Sequence, residues 1–165
     1  MENENIKIVE MLKNRGITLA IAESLTGGLV SSAICGVPGA SEVLLEGVVS
    51  YTDESKITRL GVRRETLEIH TSVSSQTAAE MAEGVRKNLG ADIGISTTGV
   101  AGPGEADENG NPRGLVYVGL SSGNETSVSR HMIDGTRNAI REQAKDICLE
   151  RLYEILYEKE RKNND

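Results

Sequence analysis

The chain is poor in aromatic residues: among its 165 residues it has no tryptophan, no phenylalanine and only four tyrosines. Proteins that bind single-stranded nucleic acid stack bases on aromatic side chains, and this sequence offers few of them. Its 18 Lys and Arg residues are outnumbered by 25 Asp and Glu residues, which gives a net charge of −7. Since a phosphate backbone attracts basic proteins, both deficits argue against nucleic-acid binding.

Cysteine is also scarce, because the sequence contains only Cys35 and Cys148. Neither has the close Cys or His neighbours of a zinc site, so we expect two buried free thiols and a reducing compartment. No stretch approaches the roughly 20 apolar residues of a membrane span, and the acidic N-terminus lacks an apolar signal core. We therefore expect a cytoplasmic protein that binds no membrane and uses neither a metal ion nor another cofactor.

The pattern of apolar residues indicates one α/β domain over residues 1–165. Short apolar runs typical of buried strands alternate with amphipathic helical stretches. Near the end, β runs at 114–121 and 126–133 surround a Ser-Gly-Asn-Glu turn typical of an antiparallel hairpin, and a long helix over 136–160 follows. This order predicts a three-layer α/β/α sandwich with a mixed, mostly parallel sheet.

The segment over residues 18–28 combines a buried strand with a turn rich in small residues. The apolar run Leu19–Ala22 stops at Glu23 and Ser24, and a pair of glycines precedes the next helical stretch. Backbone N–H groups at the start of that helix could hold a phosphate, or the oxyanion formed when Ser24 attacks a carbonyl. Ser and Thr are also common helix caps, and the segment in isolation favours that simpler interpretation.

Two further predicted strands also end in residues suited to ligand binding. Tyr51 and Lys56 follow the second strand, and the glycine-rich segment 98–104 follows the third. Ligands of open α/β sheets bind where the carboxyl ends of parallel strands meet, so we expect these groups to converge with Ser24. The glycine spacing matches neither a dinucleotide-binding fingerprint nor a Walker loop.

A serine hydroxyl next to a lysine amine can perform acyl transfer without histidine or metal. Lys56 would then act as the base for Ser24 and must be neutral, which requires burial or nearby positive charge to lower its pKa from about 10.4. Asp53 and Glu54 would raise that pKa unless their side chains face solvent. We expect Tyr51 to donate a hydrogen bond that orients the pair.

Three motifs follow one another along the chain: Ala22-Glu-Ser-Leu-Thr-Gly-Gly28, Tyr51-Thr-Asp-Glu-Ser-Lys56 and Thr98-Gly-Val-Ala-Gly-Pro103. In this order they resemble the CinA C-terminal family, also known as nicotinamide mononucleotide amidohydrolases. The resemblance implies a hydrolase that converts nicotinamide mononucleotide to nicotinate mononucleotide and ammonia. Larger family members carry an additional N-terminal domain, so the resemblance also implies the stand-alone form.

Motif by motif, the resemblance assigns Ser24 as the nucleophile, Lys56 as the base and Tyr51 as their neighbour. It implies that the nucleotide pocket is lined by eight residues, namely Thr26, Gly27, Gly28, Thr98, Gly99, Ala101, Gly102 and Arg137. Arg137 is notable on its own account, because a cation in the first turn of a helix opposes the helix dipole and suggests a bound anion.

Two places depart from the family pattern. Asn111 stands where many relatives have a lysine, and Thr71-Ser72 stands where relatives often have Gly-Ala. The changed loop over residues 105–113 would permit a different substrate.

Three hypotheses therefore follow from the sequence. They are a nicotinamide mononucleotide amidohydrolase, an amidohydrolase for another small amide, and a non-catalytic nucleotide-binding module linked to competence or DNA-damage responses. The distance from the Ser24 hydroxyl to the Lys56 amine discriminates the enzymes from the binding module. The small size and the apolar last helix also suggest a homodimer.

Overall fold

A computed structural model describes the backbone of residues 2–164 and the side chains of residues 3–158. The strands are β1 (Leu19–Glu23), β2 (Leu44–Val49), β3 (Ile93–Gly99), β4 (Leu115–Ser122) and β5 (Glu125–Met132). The helices are α1 (Glu2–Asn14), α2 (Leu29–Cys35), α3 (Asp53–Leu60), α4 (Arg64–His70), α5 (Ser75–Asn88) and α6 (Arg137–Asn164), with a short 3-10 helix at Ala40–Glu42.

Within the described residues the strands form one sheet in the order β2-β1-β3-β4-β5. β1 pairs in parallel with both β2 and β3, whereas β4 runs antiparallel to β3 and β5. Four of these five strands therefore point the same way, which confirms the predicted mixed, mostly parallel sheet. Because β1 lies between β2 and β3, the carboxyl ends of all three meet at one edge.

Helices cover both faces of the sheet and complete the predicted three layers. Successive residues of a strand point to opposite faces, and β1 shows this directly. Leu19 and Ile21 pack in the core beneath α1, α2 and α6, while Ala20 and Ala22 pack in the core with residues of α3, α4 and α5. The edge at which the carboxyl ends of β1, β2 and β3 meet therefore lies between two packed helical layers.

Helix α5 lies unusually close to the sheet because two strand positions are glycine. A Cβ atom at Gly94 would come within 2.2 Å of the Ala82 carbonyl oxygen, and one at Gly119 within 2.4 Å of the Ala78 carbonyl oxygen. The segment that precedes α5 lies beside the end of β3, where the carbonyl oxygen of Ser72 accepts a hydrogen bond from the Thr98 hydroxyl at 2.6 Å.

The two cysteines differ in burial. Cys148 is buried as expected, but Cys35 is exposed, because Val30 and Ile34 take the buried side of the short helix α2. Across residues 2–164, no helix has both the length and the apolar character needed to cross a membrane.

Candidate active site

Ser24 lies in a tight turn directly after β1. Its N–H donates to the carbonyl oxygen of Thr97 in β3 at 3.0 Å, and its own carbonyl oxygen accepts from the N–H of Gly27 at 3.1 Å. Gly27 and Gly28 have φ values of 58° and 102°, which glycine adopts without the steric cost of a Cβ atom. The chain thereby turns into α2 and leaves Ser24 at the carboxyl edge of the sheet.

The carboxylate of Glu23 closes this turn from within the protein. It is fully buried and accepts hydrogen bonds from the N–H groups of Gly28, Val30 and Ser31 at 2.8–3.1 Å, and from the Ser31 hydroxyl at 2.7 Å. From the sequence, the amides at the start of α2 could hold a phosphate or an oxyanion, although the favoured interpretation is an ordinary Ser or Thr helix cap. The carboxylate of Glu23 already occupies these amides, so they do not bind a ligand anion. The helix-cap interpretation is also wrong, because the N-cap residue is Gly28, which has no side chain to cap the helix.

Thr26, Gly27 and Gly28, which the resemblance placed in the nucleotide pocket, do not line the cavity that contains Ser24. Thr26 is fully buried, and its hydroxyl forms a 2.7 Å hydrogen bond with the hydroxyl of Thr97. Arg141 of α6 donates to the carbonyl oxygen of Thr26 at 3.1 Å. In the structure these three residues shape the turn that carries Ser24.

Helix α3 directs Lys56 toward Ser24. Thr52 caps the helix by accepting a hydrogen bond from the N–H of Ser55 at 3.2 Å. Lys56 and Leu60 are the buried residues of α3, one turn apart, so the lysine occupies the side of the helix that faces the core. Only 1% of Lys56 is exposed, a burial that lysine rarely shows without a specific partner.

The amine of Lys56 lies 3.2 Å from the hydroxyl oxygen of Ser24. It also donates to the carbonyl oxygens of Ser50 at 3.0 Å and Tyr51 at 3.2 Å. A neutral lysine amine has two N–H bonds and one lone pair. The two carbonyl oxygens engage both N–H bonds, so the lone pair is left to face Ser24, as general-base catalysis requires.

Burial lowers the pKa of Lys56 from 10.5 to about 8. The main cause is loss of hydration, which disfavours the charged amine, while the negative charge of Asp53 acts in the opposite direction. Glu54 forms an ion pair with Arg64 at 3.0 Å, with both side chains largely exposed. Desolvation therefore outweighs the acidic neighbours that the sequence suggested would keep Lys56 charged.

Tyr51 contacts Lys56 through its backbone and not through its ring. Its hydroxyl accepts a hydrogen bond from the guanidinium of Arg137 at 2.9 Å, and the residue is largely exposed. The structure thus places the hydroxyl away from the Ser24–Lys56 pair that we expected it to orient. Arg137 also donates to the carbonyl oxygen of Gly102, so it connects Tyr51 to the glycine-rich segment.

A cavity of about 340 Å³ contains the Ser24–Lys56 pair. This volume lies within the range of roughly 300–1,000 Å³ found for small-molecule sites. The cavity brings together eight of the eleven residues proposed from the sequence, namely Ser24, Tyr51, Lys56, Thr98, Gly99, Ala101, Gly102 and Arg137.

Several residues at the site were not assigned to it from the sequence, although the sequence marks Ser72 and the loop 105–113 as departures from the family pattern. Ser72 and Val73, between α4 and α5, line the cavity, as do residues 106–109. Arg141 supports the turn after β1 by donating to the carbonyl oxygen of Leu25 at 2.8 Å. An arginine on a long polar helix carries no signal of such a role. The departure from the family pattern at Thr71-Ser72 did point to the site, because it lies in the segment that forms one wall of the cavity.

The fold and the geometry define a class of protein: an α/β/α domain with a buried serine–lysine pair at the carboxyl edge of three parallel strands, in a cavity sized for a small molecule. The family model for the CinA C-terminal domain matches residues 2–156. The chain belongs to this family.

Known relatives are similar over most of the chain. A Clostridioides difficile protein whose name describes it as competence-damage inducible is 52% identical over 137 residues, which are 83% of this chain and 32% of that protein. A CinA-like protein of Kosmotoga olearia is 46% identical over 144 residues, which are 87% of this chain and 34% of that protein. The chain thus spans about a third of the length of these curated relatives.

The fold is also similar to solved structures of nearly equal length. A crystal structure of a CinA superfamily protein from Klebsiella pneumoniae superposes with a TM-score of 0.91 at 34% identity, and the match covers 95% of this chain and 98% of that one.

Proposed function

We propose that the protein is an amidohydrolase that releases ammonia from the carboxamide of nicotinamide mononucleotide. The observation that carries the proposal is the 3.2 Å contact between the Ser24 hydroxyl and the Lys56 amine, whose pKa is lowered to about 8. A protein that only binds a nucleotide needs no buried, partly neutral lysine against a serine. Strongly perturbed lysines in clefts are instead typical of catalytic sites.

In the proposed reaction, neutral Lys56 takes the proton of Ser24 while the serine oxygen attacks the carboxamide carbon. The tetrahedral intermediate collapses as the protonated lysine gives its proton to the amide nitrogen. Ammonia leaves, and an ester joins Ser24 to the nicotinate acyl group. Water, deprotonated by the same amine, then hydrolyses the ester and restores the serine.

The N–H of Leu25 is the proposed donor to the oxyanion. Leu25 lines the cavity next to Ser24, and among the described residues its N–H donates to no protein acceptor. Gly99 lines the cavity from β3 and is the second proposed donor. One such donor contributes about 3 kcal/mol to the transition state in other enzymes.

Arg137 is the proposed contact for the substrate phosphate. Its guanidinium is exposed and donates to two neutral oxygens, the Tyr51 hydroxyl and the Gly102 carbonyl. A phosphate accepts stronger, charge-assisted hydrogen bonds than either of these oxygens. We expect the phosphate to draw Arg137 from its present partners, while the carboxamide lies against Ser24.

Ammonia release from nicotinamide mononucleotide tests the proposal. The wild-type protein is expected to release ammonia, and Ser24→Ala to release none while it keeps its circular dichroism spectrum. Ser32→Ala, which changes an exposed serine of α2, is the matched control. Full turnover by Ser24→Ala would refute the nucleophile assignment.

A panel of small neutral amides separates the proposed substrate from others of its chemical class. Faster ammonia release from one of these amides would refute nicotinamide mononucleotide as the substrate but not the serine–lysine mechanism. Tight nucleotide binding without release from any amide would favour the binding module.

A further inference from the structure

Thr71, at the end of α4, has a backbone conformation that normally belongs to glycine. Its φ is 67° and its ψ is 171°, and among the described residues it is the one non-glycine with positive φ. A β-branched residue in this region costs free energy and persists only where its surroundings require it. The side chain of Thr71 therefore has a role that glycine could not fill.

Hydrogen bonds hold Thr71 from two directions. Its carbonyl oxygen accepts from the hydroxyls of Ser74 at 3.1 Å and Thr77 at 2.7 Å, at the start of α5. Its hydroxyl oxygen accepts from the side-chain amide of Asn111 at 3.2 Å. The first two bonds stabilise the strained backbone, whereas the third joins a part of the chain 40 residues away.

Asn111 belongs to the loop 105–113, which is stabilised internally. The carboxylate of Asp107 accepts from the backbone N–H groups of Asn109 and Asn111 at 2.9 and 2.8 Å, and from the side-chain amide of Asn111 at 2.9 Å. Ala106 and Pro112 form a β-bridge at the base of the loop. These bonds make the loop one unit whose position depends on its contacts with the rest of the domain.

The same loop forms part of the cavity wall. Residues 106–109 line the cavity, and Ser72, the neighbour of Thr71, lines it from the α4–α5 segment. The carbonyl oxygen of Ser72 accepts from the hydroxyl of Thr98 at 2.6 Å, which joins this segment to β3. The Asn111–Thr71 hydrogen bond thus links the loop to the α4–α5 segment, which is itself bonded to β3.

We propose that Thr71 and Asn111 form a latch that holds the loop 105–113 against the cavity, so that Thr71 is a positioning residue for substrate binding. Neither residue contacts Ser24 or Lys56, and loss of the latch leaves that pair in place. The substrate affinity falls instead, because residues 106–109 are no longer held in position. The kinetic part of this inference rests on the proposed function.

Thr71→Gly separates the latch from a purely structural role, because it removes the hydroxyl and the backbone strain together. We expect equal or greater stability, measured as the urea midpoint, with a KM for nicotinamide mononucleotide about fivefold higher and kcat within twofold of wild type. A variant that is more stable yet binds substrate less well fits a latch. An unchanged KM would overturn it.

Two further variants test whether Asn111 is the partner of the Thr71 hydroxyl. Thr71→Ser keeps the hydroxyl and is expected to restore the wild-type KM. Asn111→Ala breaks the latch from the loop side and also removes the side-chain bond to Asp107. Its combination with Thr71→Gly is expected to raise KM no further than Asn111→Ala alone, because both changes remove the same Asn111–Thr71 hydrogen bond. Additive effects would contradict the pairing. Asn124→Ala, in the exposed turn between β4 and β5, is the matched asparagine control.

Amide hydrogen exchange tests the latch without any turnover. In Thr71→Gly, exchange over residues 105–113 is expected to become about fivefold faster, with α1 and β1 unchanged. A faster-exchanging loop in a protein that releases no ammonia supports the latch while refuting the proposed function. Unchanged exchange in an active protein overturns the latch and leaves the proposed function standing.

Discussion

Two glycine-rich segments follow parallel strands of the same sheet, and the structure uses them differently. The turn after β1 contains Gly27 and Gly28, but the buried carboxylate of Glu23 accepts hydrogen bonds from the N–H groups of Gly28, Val30 and Ser31. The segment after β3 lines the cavity with Gly99 and Gly102. Glycine content alone therefore does not show whether a turn binds a ligand, because an acceptor within the chain can occupy the amides first.

Each of these segments also has its own organising carboxylate. Glu23 is fully buried and holds the turn that carries the nucleophile. Asp107 is partly exposed and holds the loop 105–113, part of which lines the cavity. The carboxylate of Glu23 accepts four hydrogen bonds in full burial, whereas that of Asp107 accepts three with partial exposure. Loss of a buried acceptor costs more free energy than loss of an exposed one, so Glu23 is expected to contribute more to stability.

The largest expected effect comes from Lys56→Met, which removes from α3 the base that faces Ser24 in the turn after β1. Methionine fills a similar volume without an amine, so the fold is expected to remain. We expect kcat/KM for ammonia release to fall by about three orders of magnitude. Lys87→Met, at an exposed lysine of α5, is the control. Activity within tenfold of wild type in Lys56→Met would remove the lysine from the mechanism.

The next prediction compares the two carboxylates directly. In Glu23→Gln one acceptor oxygen becomes an amide donor, which leaves buried N–H groups without a partner. We expect a loss of about 3 kcal/mol in the free energy of unfolding, against about 1 kcal/mol or less for Asp107→Asn. Urea denaturation measures both. Equal losses would mean that burial does not distinguish the two segments.

The smallest of these three effects is the pH dependence of the wild-type protein. Lys56 acts as a base only when neutral, so activity rises as pH rises through its pKa of about 8. Between pH 7 and pH 9 the neutral fraction grows from roughly one tenth to roughly nine tenths, and kcat/KM is expected to increase about tenfold. A flat profile over this range, or an increase only near pH 10, would contradict the lowered pKa of Lys56.

The fold was largely predictable because its signals are local. Apolar runs indicate the strands, amphipathic stretches indicate the helices, and their alternation leaves few topologies. The convergence of Ser24 and Lys56 followed from the rule for the ends of parallel strands. The predicted arrangement of the layers and of the sheet is confirmed by the structure.

The details of the site were less predictable because they depend on competition between partners. The sequence shows that Glu23 precedes two glycines, but not that its carboxylate binds the amides of Gly28 and of the first turn of α2. It shows that Tyr51 is near Lys56 in the chain, but not that the tyrosine hydroxyl accepts a hydrogen bond from Arg137 and so lies away from Lys56. The glycine that relatives often have in place of Thr71 is the one sign of a positive φ there. The sequence does not show the bonds from α5 and from Asn111 that hold Thr71.

The central claim is that Lys56 is neutral enough near neutral pH to activate Ser24. Nuclear magnetic resonance titration of the lysine side-chain signals measures this directly, with Lys56 assigned by the signal that disappears in Lys56→Met. The account predicts a midpoint near pH 8. A midpoint at 10.5 or above would show that the amine stays charged, and it would contradict the proposed mechanism.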